Sequence, residues 1–306
     1  MSRLKLRTPD GFDFWRTVLS HGWAVLPPFE SDPTTRTLRR VFRIRAGRLV
    51  TATMNGSAAG VHIATGRAPL TPAEQDDLRA QARTCLRLDE DFAGFHETAR
   101  RYPRYRWIAA SGAGRMLRAP TLYEDVVKMI CTTNCSWSLT EAMVGRMVAM
   151  FGERTTAGRH AFPEARDIAA SSERELRTGC RMGYRAPYIL ELSRRVASGA
   201  LDLEALRHST ASSAELHDTL RTIKGVGPYA AGNLLKLLGR YDRLGLDSWV
   251  RGQYARLHAR GRAVKDSTIE RRYAHYGRWR GLLFWLEMTR SWHDEKFRSS
   301  GEDVPI

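Results

Sequence analysis

Ahead of four segments after residue 70 stands the same local pattern, a Ser or Thr followed three positions later by Glu. The pairs are Thr71/Glu74, Thr121/Glu124, Ser172/Glu175 and Ser212/Glu215. Each reads as a reciprocal helix cap, the hydroxyl accepting from one free amide and the carboxylate from another. Pro72 strengthens the first, because a missing N–H is no loss at the first helical position. Apolar residues between the caps keep helical spacing, as in Val126, Val127 and Ile130, and then Met143, Met147 and Met150. Residues 71–306 are therefore expected to form a helical body. Residues 1–70 are expected to form a β-rich domain, with strands from Trp23 to about Ile63 and a hairpin turning at Ala46-Gly47 in "TLRRVFRIRAGRLVTATM". The expected class is α+β, mostly α with a small β-containing N-terminal domain.

Charge narrows the choice of partner. The formal net charge is +16 and the pI about 10.3. Such an excess favours a polyanion, most simply nucleic acid, although a solvated basic surface accounts for charge alone. No apolar run reaches the roughly 18 residues of a membrane span. The start, "MSRLKLRTPDGFDFW", has no signal-peptide core, so an intracellular protein is expected. Cys85, Cys131, Cys135 and Cys180 form no CxxC pair and read as buried free thiols.

The stretch "IKGVGPYAAGNLLKLLGRYDRLGLDSWVR" holds the candidate chemistry. Leu216, Leu220 and Ile223 line one face of a helix ending at Gly225. Pro228 starts the next, with Ala231, Leu234, Leu235 and Leu238 on its apolar face before Gly239. Gly225 and Gly227 allow a sharp turn and close approach of a ligand. The amides that open the second helix suit a phosphate, and Lys224 adds a full charge. An ordinary tight turn explains the same residues. Asp247 reads either as the N-cap of "SWVRGQYARL" or as a functional carboxylate, and an N-cap would hold that carboxylate still.

"IKGVG…LGLDSWV" resembles the signature of the helix-hairpin-helix (HhH-GPD) DNA glycosylase superfamily, in its 8-oxoguanine and alkylpurine branch. "ICTTN" (130–134) and "GYRAPY" (183–188) are similar to DNA-facing segments of that branch, and "YGRWRGLLFWLEM" (276–288) to its last core helix. The likeness covers roughly residues 90–292 in the family's order. It implies a helix-hairpin-helix at 213–239 and Asp247 as the catalytic carboxylate. Relatives that also cut the backbone carry a lysine where this chain has Tyr229, so the resemblance implies a monofunctional enzyme. It implies DNA contacts at Asn134, Tyr184, Arg185, Lys224, Gly225 and Gly227. Asn134 would fill the gap left by an extruded nucleotide, Tyr184 would wedge into the stack and Arg185 would meet the widowed base. A base pocket is implied at Trp137, Tyr229, Phe284, Trp285 and Met288. Phe284 stands where the 8-oxoguanine enzymes place a glutamine, which favours an alkylated purine.

No cofactor is required on this resemblance. Backbone carbonyls of Arg221, Ile223 and Val226 would hold a structural sodium or potassium ion. The iron–sulfur cluster of some relatives is not expected, because the last cysteine, Cys180, precedes the hairpin. The expected partner is double-stranded DNA with a damaged base, bound by a monomer in the cytoplasm, or in the nucleus of a eukaryote. The alternatives are an 8-oxoguanine glycosylase with an atypical pocket and a non-catalytic DNA-binding protein on the same helices.

Overall fold

The computed structural model describes residues 2–66 and 69–298. The chain is mostly helical with one small antiparallel sheet at its N-terminal end, as its caps and β-branched runs lead one to expect. It forms two compact units. The first comprises residues up to 89, 115–209 and 223–225, and the second 90–114, 210–222 and 226 onward. None of the described helices is long and apolar enough to cross a membrane.

The first unit holds a five-stranded sheet in the order β1-β5-β4-β3-β2. Its strands are β1 (Arg3–Leu6), β2 (Glu30–Asp32), β3 (Thr37–Arg43), β4 (Leu49–Ser57) and β5 (Gly60–Thr65). The expected hairpin joins β3 to β4 in a register that sets Thr37 opposite Asn55 and Arg43 opposite Leu49. Ala46 (φ 58°) and Gly47 (φ 75°) make its turn. Two local expectations fail. The strand at Arg3–Leu6 lies ahead of the expected β region, and Trp23 falls in a 3-10 turn, Gly22–Val25.

Strand alternation turns Leu38, Arg40 and Phe42 of β3 to the buried face. An arginine there needs a counter-charge, and the helix Leu122–Cys131 supplies one. Arg40 forks onto the Glu124 carboxylate at 3.0 and 3.4 Å, and Lys128 reaches the same carboxylate at 2.7 Å. All three side chains are at most 3% exposed. Phe29 and Phe42 face the guanidinium, their ring centres 4.5 and 4.9 Å from its carbon. Burial alone would raise the Glu124 carboxyl, but the Arg40 and Lys128 charges outweigh it and hold the group below its usual range. This also alters one expected cap. Thr121 accepts from the Glu124 amide at 3.3 Å, but the Glu124 carboxylate is committed to Arg40 and Lys128. Thr71/Glu74 and Ser212/Glu215 close both halves of the box, and Ser172/Glu175 bond reciprocally at 2.8 and 3.2 Å.

Met143 and Met147 are fully buried in the helix Trp137–Phe151, whereas Met150, in the last turn, is 47% exposed. Cys85, Cys131 and Cys180 are buried and Cys135 is half-buried, all as free thiols. The second unit packs around aromatic residues. Tyr241 stacks on Trp279 with ring centres 5.4 Å apart, and Phe92 and Phe95 meet the same indole at 6.2 and 5.3 Å.

Removing one partner of a buried charge cluster strands the others without solvent. Glu124→Gln is therefore expected to destabilise the protein by about 3–5 kcal/mol in urea unfolding. A loss below about 1 kcal/mol, the range of a surface pair, would show that Arg40 and Lys128 do not depend on that carboxylate.

Candidate active site

The hairpin consists of the helices Ser213–Arg221 and Pro228–Leu237. The first ends two residues before Ile223, which is nevertheless buried beside Leu216 and Leu220 in the sequence pattern expected. Its two glycines differ in kind. Gly225 has φ +87°, and a Cβ there would stand 2.9 Å from Tyr188 and 3.3 Å from Ile130, so both conformation and space require glycine. Gly227 is the N-cap of the second helix at φ −81°, ψ −178°, a conformation open to any residue. A Cβ at Gly227 would meet nothing within 4 Å. Lys224 is exposed and pairs with Glu191. The carbonyls of Arg221, Ile223 and Val226 accept no backbone hydrogen bond outside the helices among the described residues.

Asn134, Tyr184 and Arg185 come together on the first unit. Asn134, at φ 48° just beyond the helix Leu122–Cys131, donates to the Tyr184 hydroxyl at 3.4 Å. Tyr184 is 45% exposed. Arg185 is different. Its guanidinium donates to the Thr133 carbonyl and lies 4.5 Å from the Tyr184 ring centre, with only 4% of the residue exposed. It braces the two exposed side chains instead of standing free. Trp137, also of this unit, is 41% exposed and lies against Gly22.

Asp247 lies in the second unit, capping the helix Ser248–His258. Its Oδ1 accepts from the Val250 amide at 2.7 Å. The Tyr229 hydroxyl donates to the same carboxylate, and burial followed by the Asp247 charge pushes the phenol well above its usual range. Arg251, one turn along, is committed to Asp266 at 2.8 Å. From Tyr229 a chain of bonds runs back to the aspartate by another route. Asn233 Nδ2 donates to the Tyr229 carbonyl at 3.0 Å, and Lys236 Nζ donates to Asn233 Oδ1 at 3.3 Å and to the Leu244 carbonyl at 2.8 Å. Leu244 precedes Asp247 by three residues.

The loop that delivers Asp247 lies directly on two helices. A Cβ at Gly232 would stand 2.8 Å from the Gly245 Cα, and one at Gly281 would stand 1.9 Å from the Arg243 carbonyl. The Gly281 amide donates to the Tyr241 carbonyl at 2.6 Å. Glycine at 232 and 281 is what lets loop and helices touch.

The remaining pocket residues divide. Phe284 is fully buried, edge-on to Tyr273 at 5.0 Å, and Met288 is fully buried, so neither offers a free face. Trp285 is half-buried, and its indole Nε1 is buried without a partner. Its ring stands edge-on to Trp292 at 6.1 Å, and Trp292 meets Trp249 at 4.8 Å. Trp249 and Trp292 are 40% and 36% exposed. Neither was singled out from sequence, although Trp249 follows Asp247 by two residues. Lys236 was also passed over, a lone lysine among buried leucines.

The sequence model described as "HhH-GPD superfamily base excision DNA repair protein" matches residues 127–280. A curated relative, a putative DNA-3-methyladenine glycosylase of Bacillus subtilis, is 29% identical over 121 residues. That match spans 39% of this chain and 41%, under half, of the relative. The fold is similar to that of 3-methyladenine DNA glycosylase from Archaeoglobus fulgidus, with a TM-score of 0.75 at 20% identity over 96% of this chain and 99% of that one. It is similar also to the 8-oxoguanine glycosylase/lyase of Clostridium acetobutylicum, with a TM-score of 0.73 at 17% identity over 94% and 96%. With its hairpin, its capping aspartate and a family match over residues 127–280, the chain belongs to the HhH-GPD superfamily of base excision DNA repair proteins.

Proposed function

We propose that this protein is a DNA N-glycosylase that excises damaged purines, alkylated ones in preference, and leaves the strand uncut. The observation that carries the reading is the Asp247 carboxylate held between the Val250 amide and the Tyr229 hydroxyl. Breaking an N-glycosidic bond builds positive charge on the sugar. A carboxylate about 4 Å away at an effective dielectric of about 20 stabilises that charge by about 4 kcal/mol. This corresponds to a rate factor on the order of 10³. Because two donors already fix the carboxylate, little reorganisation is needed as the charge develops. The same group can orient the attacking water.

Monofunctional chemistry is supported by the amines. A phenol forms no Schiff base, and the raised Tyr229 hydroxyl keeps its proton and serves as a donor. The Lys236 amine is fully buried, and that of Lys224 is engaged by Glu191. On the duplex, the open approach at Gly227 leaves room for a phosphate at the helix amides, beside Lys224. The carbonyls of Arg221, Ile223 and Val226 would hold a sodium or potassium ion there, adding positive charge near that phosphate. Asn134 and Tyr184 would enter the base stack, with Arg185 supporting them from below. Stacking on the lesion is assigned to Trp285, with Trp249 and Trp292 beside it. Electron-rich indole faces favour an electron-poor alkylated ring. The protein is proposed to act as a monomer.

Duplexes carrying one 7-methylguanine, 3-methyladenine or 8-oxoguanine test this reading. Release of a methylated base ahead of 8-oxoguanine is expected, with strand breaks only after alkali and no adduct trapped by borohydride. Faster release of 8-oxoguanine would overturn the specificity, and a trapped adduct would overturn the monofunctional mechanism.

Asp247→Asn is nearly isosteric, so the cap survives while the charge is lost. Binding to lesion duplex should be at least as tight, with single-turnover excision slower by about 10³. A variant within about tenfold of wild type would have lost under about 1.4 kcal/mol, and Asp247 would then be a cap alone.

A further inference from the structure

We infer that Lys236 is a positioning residue, whose buried ammonium pins the loop carrying Asp247 onto the second hairpin helix and so aims the carboxylate. The inference rests on the reading of Asp247 as the catalytic group. Lys236 is 0% exposed in the run Leu234, Leu235, Lys236, Leu237, where a leucine would fill the same space without burying a charge. Packing alone therefore gives no reason for a lysine. Its bonds supply one. Nζ donates to the Leu244 carbonyl at 2.8 Å, to Asn233 Oδ1 at 3.3 Å and to the Gly232 carbonyl at 3.4 Å.

The loop is shaped to receive this group. Gly245 sits at φ +69°, and a Cβ there would come within 2.8 Å of the Lys236 Nζ and 3.3 Å of the Asn233 amide nitrogen. Any other residue at 245 would push on the ammonium or lift the loop. The circuit then closes on the site. Asn233 also holds the Tyr229 carbonyl, and the Tyr229 hydroxyl holds Asp247. Tyr229 and the loop of Asp247 are thus both tied, directly or through Asn233, to one amine.

The titratable and charged groups near Asp247 are Lys236, the neutral Tyr229 phenol and Arg251, which is turned to Asp266. Burial draws the Lys236 amine down to about 7 while the Asp247 carboxylate pulls it upward. The Lys236 amine therefore reports on the Asp247 charge.

Four readouts on the whole chain test the inference. Lys236→Met removes the donor and keeps the volume. Single-turnover release from a 7-methylguanine duplex should slow by about tenfold to a hundredfold, as for a displaced catalytic group. The Kd for a duplex bearing a stable abasic analogue should not change. Hydrogen exchange at the Val250 amide should quicken in the variant, since its acceptor is no longer held. In wild-type protein the Lys236 Nζ, followed by nitrogen-15 NMR, should titrate near neutrality, and Asp247→Asn should lower that value further.

A Lys236→Met protein with wild-type rate and wild-type Val250 protection would overturn the inference. So would a Lys236 that titrates as an ordinary lysine in both wild type and Asp247→Asn. If Lys236→Met does not fold, the titration in the other two proteins decides. Should wild type release no base from any lesion duplex, the glycosylase reading falls, while exchange and titration still decide whether Lys236 holds the loop.

Discussion

On the proposed function Asp247 stabilises a fleeting cation and is useful only if it is already in place, and contacts within the second unit keep it still. The Val250 amide fixes one oxygen from the helix that Asp247 caps, and the Tyr229 hydroxyl approaches from the hairpin's second helix. Neither bond would hold unless the two helices were held at a fixed spacing. That spacing is set by the loop between them, through the bonds from Lys236 and Asn233 and through contacts that only glycine allows. Two kinds of force thus act on one short segment. Directed donors draw it inward, and the absence of side chains at 232, 245 and 281 lets it come.

The first unit uses charge differently. Arg40, Glu124 and Lys128 are all inside, where desolvation penalises each of them and only mutual pairing offsets the penalty. The effect is to lock β3 to the helix Leu122–Cys131 in one register. The segment just beyond that helix carries Asn134, and the position of its exposed side chain derives from a helix that cannot slide. Arg185, buried against Thr133, fixes the same segment from its other side.

Local features were legible in the sequence, and long-range ones were not. The Ser/Thr-x-x-Glu caps, the turn of the β3–β4 hairpin, the glycine turn and the N-cap at Asp247 all depend on residues within four positions of one another. Sequence spacing states them almost completely. Arg40 reads as one more polar residue on a strand until Glu124, 84 positions away, is placed beneath it. That remote partner also drew Glu124 away from its expected cap. Phe284 and Trp285 were indistinguishable as letters, and only packing shows that one is enclosed by Tyr273 while the other stays half-open. Met150 continues a helical stripe that its helix no longer buries in the last turn. The strand Arg3–Leu6 is four residues with two charges, too short to declare itself before its partner β5 is known.

Gly281 gives the helix that bears Trp285 and the loop that leads to Asp247 a common boundary. It lies in the first turn of the helix Arg280–Met288, which bears Trp285, and the Arg243 carbonyl occupies the space of any side chain it might carry. A larger residue there would displace the stretch that runs on to Asp247, so this helix and the carboxylate form a single mechanical part. A relative with a bulkier residue at that point would need a different path for the whole loop. Residue 281 is thus a place where two members of such a family could share a fold and still be unable to exchange parts.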